Sequence, residues 1–231
     1  MRIPRRHFLQ KAASAAALSA SSLNAWALDY PTRAIHWVIG FPPGGGADIV
    51  ARIMGAWLSE RLGQQIIIEN KPGAATNIAT QTVINSPADG YTLLWAGISN
   101  VINATIYGTL PFDFLRDIAP VSGMVVYPMV FEVNPSKHDR FPDIPTVAET
   151  LPGYEAAAFT GVGVPIGTPE PIIARLNHEI NAGLKDPAIN ARLAELMVTP
   201  LVVTPAEFGA YMAAETAKWA KVIKLAIIKA D

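Results

Sequence analysis

The sequence predicts an α/β fold in which helices flank a parallel sheet. Three apolar runs of strand length, residues 35–41, 65–69 and 91–96, are each followed by a glycine-rich or small polar turn and then by residues at helical spacing. This alternation favours right-handed crossovers between parallel strands. Because ligands of such sheets bind beyond the carboxyl ends of the strands, we expect the three turns to converge on one cleft.

The first turn, residues 42–48, has the composition of an anion site. It reads Pro-Pro-Gly-Gly-Gly-Ala-Asp and precedes a helical pattern that ends at Gly63. The prolines end the strand, and the glycines leave backbone N–H groups uncovered at the positive end of a helix. Such a turn suits a carboxylate or a phosphate. A glycine-rich turn without a ligand is the alternative, and helix capping alone explains Asp48.

Neither phosphate fingerprint is complete in this turn. A Gly-x-x-x-x-Gly-Lys loop needs a lysine, and the sixth residue after Gly44 is Val50. In the dinucleotide pattern Gly-x-Gly-x-x-Gly, Ile49 replaces the third glycine. A nucleotide-dependent α/β enzyme is therefore the least favoured hypothesis.

The second and third turns repeat the arrangement. Residues 70–77 lead into a helix predicted over 78–85, where Thr76 and Asn77 either cap the helix or present side chains to a ligand. The third strand ends in residues 97–100, a small polar start to another helix.

The rest of the chain is predicted to be extended and then helical. We expect a loop at 111–116, extended chain at 118–133, a Pro-rich connector at 134–145, a short helix from 146, and strands at 159–166 and 201–203. Helices should begin after a Thr168-Pro169-Glu170 cap, at Asp186-Pro187, and at a Thr204–Glu207 capping box. The last helix carries Phe208, Tyr211, Met212, Trp219, Val222 and Ile223, and its aromatic residues are predicted to lie in the core.

The first 27 residues have the pattern of an export signal. A basic start containing Arg5-Arg6, a mildly apolar stretch, and Ala25-Trp26-Ala27 predict a twin-arginine type signal peptide cleaved after Ala27, hence a periplasmic protein. General secretion is the alternative export route, because Gln10 stands where a lysine is common. The stretch is too short and too rich in serine to span a membrane. Without its four basic residues, the mature chain would carry 14 Lys and Arg against 19 Asp and Glu, so nucleic acid is not an expected partner.

The sequence offers no catalytic constellation. There is no cysteine, and residues 97–101 lack the second glycine of a Gly-x-Ser-x-Gly elbow. His36, His138 and His178 are dispersed and lack metal-ligand spacing. We therefore expect no catalytic residues, no metal and no cofactor, which favours binding over catalysis.

The motifs resemble a known family in their order along the chain. Phe-Pro-Pro-Gly-Gly-Gly-Ala-Asp at 41–48, Glu-Asn-Lys-Pro-Gly-Ala at 69–74 and Pro-Ala-Asp-Gly-Tyr-Thr-Leu-Leu at 87–94 resemble the Bug family, the solute receptors of tripartite tricarboxylate transporters. Further matching segments are 30–31, 120–122, 143–149, 151–155, 167–169 and 218–224.

The resemblance implies a two-lobed periplasmic binding protein that captures a small carboxylate-bearing solute and delivers it to a membrane permease, without catalysis. It implies that the loop 42–48 holds one carboxylate through backbone N–H groups and ordered water, that the turns 73–77 and 97–103 add contacts, and that 161–165 is a hinge strand. The residues implied at the site are Pro43, Gly44, Gly45, Gly46, Asp48, Ala74, Thr76, Asn77, Ser99, Asn100, Asn103 and Gly161.

The chain departs from the family pattern in its middle. Most of the second lobe, which the family carries between residues matching 136 and 141, is absent, and Ile227 replaces a usual glycine. We therefore expect lobe one to comprise residues 28–118 and 168–231, with hinge strands and a remnant of lobe two at 119–167. A truncated remnant that binds no solute is the alternative function.

Overall fold

The computed structural model describes residues 29–129, 147–152, 154 and 156–228. The expected signal peptide with its cleavage site, the connector 134–145 and His138 lie outside the described residues. One sheet holds the described strands in the order β2-β1-β3-β5-β4-β6. The strands are β1 (Ile35–Ile39), β2 (Ile66–Asn70), β3 (Thr92–Gly97), β4 (Ile118–Pro128), β5 (Ala157–Pro165) and β6 (Thr199–Pro200).

Helices pack on both faces of this sheet. They are α1 (Gly46–Leu62), α2 (Asn77–Ile84), α3 (Ile98–Ile106), α4 (Phe114–Asp117), α5 (Val147–Thr150), α6 (Glu170–Lys185), α7 (Pro187–Glu195) and α8 (Pro205–Leu225). A single 3-10 turn, Ala74–Thr76, precedes α2. The α/β class and the order of the three strand-turn-helix units are confirmed.

The sheet is mixed rather than parallel throughout. β1 runs parallel to β2 and β3, as predicted. β5 is antiparallel to both β3 and β4, and β6 is antiparallel to β4. The parallel prediction is confirmed for β1, β2 and β3, whereas the antiparallel pairing of β4, β5 and β6 was not predicted. β4 and β5 belong to the same sheet as β1, β2 and β3. The predicted boundaries of the two lobes stay a prediction.

The alternation of side chains gives the sheet two apolar layers. Trp37 and Trp95 lie on the face that packs against α1, α6 and α7. Val38, Leu94 and Phe159 lie on the opposite face, which packs against α2, α3 and α8. Successive residues of one strand thus serve different layers, as strand geometry requires.

Most of the predicted helix ends are confirmed. Gly63 ends α1 at a φ of 67°, a backbone conformation that glycine adopts without steric cost. Thr204 and Glu207 form the predicted reciprocal capping box of α8, and Asp186 accepts from the amides of Ala188 and Ile189 at the start of α7. Thr168 does not cap α6, because its hydroxyl donates to the carbonyl oxygen of Pro165 at 2.7 Å.

Two local predictions are wrong. Residues 201–203 form no strand, because the side-chain amides of Asn177 and Asn181 donate to the Val203 carbonyl at 2.9 and 3.0 Å in place of a neighbouring strand. The expected loop 111–116 contains the start of α4, which Asp113 caps. The predicted core aromatics of α8 do pack inward, since Phe208 is buried and Tyr211 and Trp219 are partly buried against the same cluster.

Candidate ligand-binding site

A cavity of about 720 Å³ lies against the predicted glycine turn. The turn forms one side of the cavity, at the carboxyl end of β1. Residues from β3, β4, β5 and the segment after α7 complete it. The lining residues are Phe41, Pro42, Pro43, Gly44, Gly45, Gly46, Ala47, Val50, Trp95, Val125, Tyr127, Thr160, Leu196 and Val198.

The start of α1 presents uncapped amides at this turn. Gly45 is the N-cap residue, and it has no side chain that could accept a hydrogen bond from the first turn of α1. The first N–H groups of a helix have no acceptor within the helix and carry its positive partial charge. A Cβ at Gly46 would meet no atom within 4 Å, so the space beside these amides is open. The geometry suits a small anion.

Asp48 holds the turn in place from within the helix. Its Oδ2 accepts from the Gly44 amide at 2.9 Å and from Arg52 Nε at 2.8 Å, and its Oδ1 accepts from Asn70 Nδ2 at 3.0 Å. The side chain is 4% exposed. The hydrogen bond from Arg52 is the largest cause that lowers the pKa of Asp48 to about 2, against the opposing effect of burial. The carboxylate therefore braces the turn in its ionised form.

The second and third turns are locked to each other. Asn103 Nδ2 donates to the Ala75 carbonyl at 2.6 Å and to Asn77 Oδ1 at 2.9 Å. Asn100 Nδ2 donates to Thr80 Oγ1 at 2.8 Å, while Asn100 Oδ1 accepts from the Gly97 amide at 2.8 Å. These amides therefore join α3 to the turn that precedes α2.

That preceding turn has an unusual backbone. Ala74, Ala75 and Thr76 have φ values of 45°, 49° and 78°, a region that residues other than glycine rarely occupy. The side chain of Thr76 makes no capping bond to α2, so its predicted capping role is wrong. Thr76 instead packs on Gly40, where a Cβ would lie 2.5 Å from Thr76 Cβ.

The predicted site residues thus fall into separate groups. Pro43, Gly44, Gly45 and Gly46 line the cavity, and Asp48 braces their turn. The second group lies next to Gly40 but outside the cavity lining, with the exposed Ala74 and the half-buried Ser99 at its edge. That group comprises Ala74, Thr76, Asn77, Ser99, Asn100 and Asn103.

Gly161 serves packing in this structure. A Cβ at this position would lie 2.1 Å from Phe208 Cζ and 2.4 Å from the carbonyl oxygen of Ser122. Its neighbour Thr160 points to the other face of the sheet and lines the cavity.

Sequence reasoning missed the wall opposite the glycine turn. Thr160 pairs with Gly97 of β3 and with Val125 of β4, so Trp95, Thr160, Val125 and Tyr127 share one face of three adjacent strands. Burial raises the pKa of the Tyr127 phenol, which keeps that phenol neutral. The alternation of side chains along β3 could have placed Trp95 on the face of the sheet that borders the cavity. Nothing in the sequence, however, indicates that β5 pairs with both β3 and β4.

Two polar atoms of this wall are buried without a partner. Thr160 is 4% exposed and Trp95 is 3% exposed. Within the described part of the chain, neither Thr160 Oγ1 nor Trp95 Nε1 has a hydrogen-bond partner. Buried polar atoms are normally paired, so a ligand with a suitable polar atom would satisfy these two.

The two described histidines lie outside the cavity lining. His36 Nδ1 on β1 contacts Glu69 Oε1 on the neighbouring β2, and both side chains are partly exposed. His178 is exposed on α6. No cluster of three metal-ligating side chains occurs among the described residues. No described helix is long and apolar enough to cross a membrane.

Comparison with known proteins decides the family. The model of the tripartite tricarboxylate transporter family receptor matches residues 50–138 and 132–227. The chain belongs to this receptor family. The family and its structures are of solute-binding proteins, not enzymes, which confirms the prediction of a non-catalytic protein.

Individual relatives agree with this membership. A UPF0065 protein from the tcbD-tcbE intergenic region of Pseudomonas sp. strain P51 is 26% identical over 318 positions, covering 96% of this chain and 94% of the relative. Protein BugT of Bordetella pertussis is 25% identical over 314 positions, covering 94% of each.

Solved structures show the same fold. The periplasmic binding protein BugD superposes with a TM-score of 0.76 at 21% identity, covering 87% of this chain and 99% of BugD. MatC of Rhodopseudomonas palustris with bound malate superposes with a TM-score of 0.72 at 22% identity, covering 84% of this chain and all of MatC. An R. palustris protein with adipate superposes with a TM-score of 0.74 at 24% identity, covering 87% of this chain and 99% of that protein.

The comparisons also confirm the shortened middle of this receptor. The 318 aligned positions exceed the 231 residues of the chain, so the relative has residues without a counterpart here. The two segments that match the family model meet at residues 132–138. This is where the sequence predicted that most of the second lobe is missing.

Proposed function

We propose that this receptor captures a small carboxylate-bearing solute in the periplasm and delivers it to the membrane permease of a tripartite transporter. The observation that carries the proposal is the uncapped amino end of α1 at the wall of a 720 Å³ cavity. This volume is typical of small-molecule sites.

The charge distribution supports a carboxylate held by backbone groups. No Lys, Arg, Asp or Glu lines the cavity within the described part of the chain, so the amides and dipole of α1 supply its positive potential. Asp48, the nearest acid on α1, already accepts three hydrogen bonds from protein groups. The carboxylates bound to two structural neighbours, adipate and malate, fit the same chemistry.

Export and delivery complete the proposal. We propose that residues 1–27 direct the chain to the periplasm and are removed after Ala27. Amino-terminal sequencing of the protein recovered from the periplasm tests this step, and a first residue other than Leu28 would contradict it.

Thermal unfolding with a panel of mono-, di- and tricarboxylates tests solute capture. A ligand that binds only the native state, at 100 times its dissociation constant, stabilises that state by about 2.7 kcal/mol and raises the midpoint. Gly45→Val should abolish the rise, because it adds a side chain at the N-cap, where the nearest atom to a Cβ is Pro42 O at 3.7 Å. Gly108→Val is the matched control, since a Cβ at Gly108 meets nothing within 4 Å and Gly108 lies outside the cavity.

The second candidate function is a family remnant that folds but captures no solute. The division of the family match at residues 132–138 favours this candidate, because the missing lobe would otherwise enclose the ligand. A cooperative unfolding transition that no carboxylate shifts would support the remnant. A midpoint raised by one class of carboxylate would exclude it.

A further inference from the structure

We propose that the solute is a monocarboxylate with an apolar body and a neutral oxygen, and that Trp95 and Thr160 bind that oxygen. This inference rests on the proposed function, since it names the solute class of the same cavity. It is carried by the two unpartnered polar atoms of the cavity wall and by the apolar character of the remaining lining.

Apart from Trp95, Thr160 and the neutral phenol of Tyr127, the wall beyond the glycine turn is built from apolar side chains. Val50, Val125, Leu196 and Val198 surround the space, and Phe41 lies at its margin. A second carboxylate placed among them would be desolvated without a cationic partner, which costs far more than burying an apolar group. The cavity therefore favours one charged group at α1 and an apolar remainder.

The unpartnered atoms specify a further polar group. Thr160 Oγ1 can donate or accept, and Trp95 Nε1 can only donate, so a hydroxyl, carbonyl or ether oxygen of the solute satisfies both. The two residues lie on one face of adjacent strands, with Thr160 opposite Gly97 and Trp95 two residues earlier on β3. Diagonal neighbours of this kind are within reach of one small ligand.

Calorimetric titration of the full chain with four probes tests the solute class. The probes are phenyllactate, which carries a neutral oxygen, 3-phenylpropionate, which lacks it, and the dicarboxylates malate and adipate. We expect phenyllactate to bind about tenfold more tightly than 3-phenylpropionate, the upper range for one hydrogen bond. Both dicarboxylates should bind more weakly than either.

Substitution of Thr160 separates this proposal from a structural role. Thr160→Val removes an unpaired buried hydroxyl at nearly constant shape, so it should leave the unfolding midpoint unchanged or higher while weakening phenyllactate three- to tenfold. Its effect on 3-phenylpropionate should be small. Thr80→Val is the matched control, because the buried Thr80 hydroxyl donates to Thr76 O and accepts from Asn100, so its loss should lower the midpoint.

Trp95→Phe should weaken phenyllactate to a similar extent. Trp37→Phe is its control, since Trp37 Nε1 is also buried without a partner among the described residues but Trp37 does not line the cavity. Dicarboxylates that bind more tightly than phenyllactate would overturn this proposal and leave the proposed function standing. Unchanged phenyllactate affinity in Thr160→Val and Trp95→Phe would overturn the assignment of these residues. Failure of every probe and of the wider carboxylate panel would overturn both proposals.

Discussion

The carboxylate of Asp48 accepts a hydrogen bond from the backbone amide of Gly44 at 2.9 Å, so an acid in the first turn of α1 fixes the glycine turn before it. Asn70, at the end of β2, donates to the same carboxylate and to the Phe41 carbonyl. Two neighbouring strand ends are thereby tied together beneath the cavity. The turn is held by its own protein contacts before any solute arrives.

Asp48→Asn should destabilise the protein at neutral pH and change its acid sensitivity. The pKa of Asp48 is about 2 in the folded chain against an ordinary value of 3.8. Because the pKa of Asp48 is lower in the folded chain than in the unfolded chain, its ionised carboxylate stabilises the fold fully above the unfolded pKa. This stabilisation is lost as the pH falls from about 4 to about 2. We expect a loss on the order of 1 to 2 kcal/mol at pH 7, since the exposed part of Arg52 is screened by solvent.

Urea unfolding of both proteins at pH 7, 5, 3 and 2 measures this effect. The difference in unfolding free energy should shrink below pH 4. Glu60→Gln, on an exposed position of α1, should show a difference near zero throughout. An Asp48→Asn difference that is the same at pH 7 and pH 2 would contradict this account.

Asn103→Ala should destabilise the protein by about 2 to 3 kcal/mol. The substitution leaves the Ala75 carbonyl and Asn77 Oδ1 without their buried donor. Chemical denaturation measures the change. Asn85→Ala, at an exposed position after α2, should cost much less. Equal losses for the two variants would show that Asn103 does not lock the turns.

Ala75→Gly should stabilise the protein by up to about 1 kcal/mol. Its φ of 49° is costly for alanine and free of steric cost for glycine, although glycine also loses more chain entropy on folding. Ala104→Gly, at an exposed position within α3, should destabilise by about 1 kcal/mol instead. Thermal midpoints that move in the same direction for both variants would disprove strain at Ala75.

Gly161→Ala should destabilise the protein by roughly 1 to 3 kcal/mol or more, in the range of overpacked cores. The added methyl group would meet both the Phe208 ring and the fixed carbonyl of Ser122, so a rotation of Phe208 alone does not relieve the clash. Gly108→Ala is the control, with open space around its Cβ. A wild-type midpoint for Gly161→Ala would refute the packing role.

Sequence reasoning succeeded where local signals agree. The strand-turn-helix units, the cap at Gly63 and the capping box at Thr204 follow from proline, glycine and threonine chemistry within a few residues. The antiparallel path of β5 was not predictable, because residues 129–156 separate β4 from β5, and no short hairpin turn links the two strands. The cavity wall at Thr160 depends on that pairing, so the sequence could place only one side of the site.

The side-chain amides show a second limit. The family resemblance implied solute contacts for Asn100 and Asn103, and in the structure their amide groups donate to Thr80 and Ala75. Either use suits a polar residue at the start of a helix. Only the distances between α3 and the turn before α2 distinguish them.

The most direct test of the carboxylate site is a ¹⁵N NMR titration that follows the backbone amides of Gly46 and Ala47 and the indole N–H of Trp95 during addition of phenyllactate. We predict saturable shifts at these three groups with one shared dissociation constant, and smaller changes at residues 73–77. Saturable shifts confined to 73–77 and 97–103, or none at Gly46 and Ala47, would contradict a site at the amino end of α1.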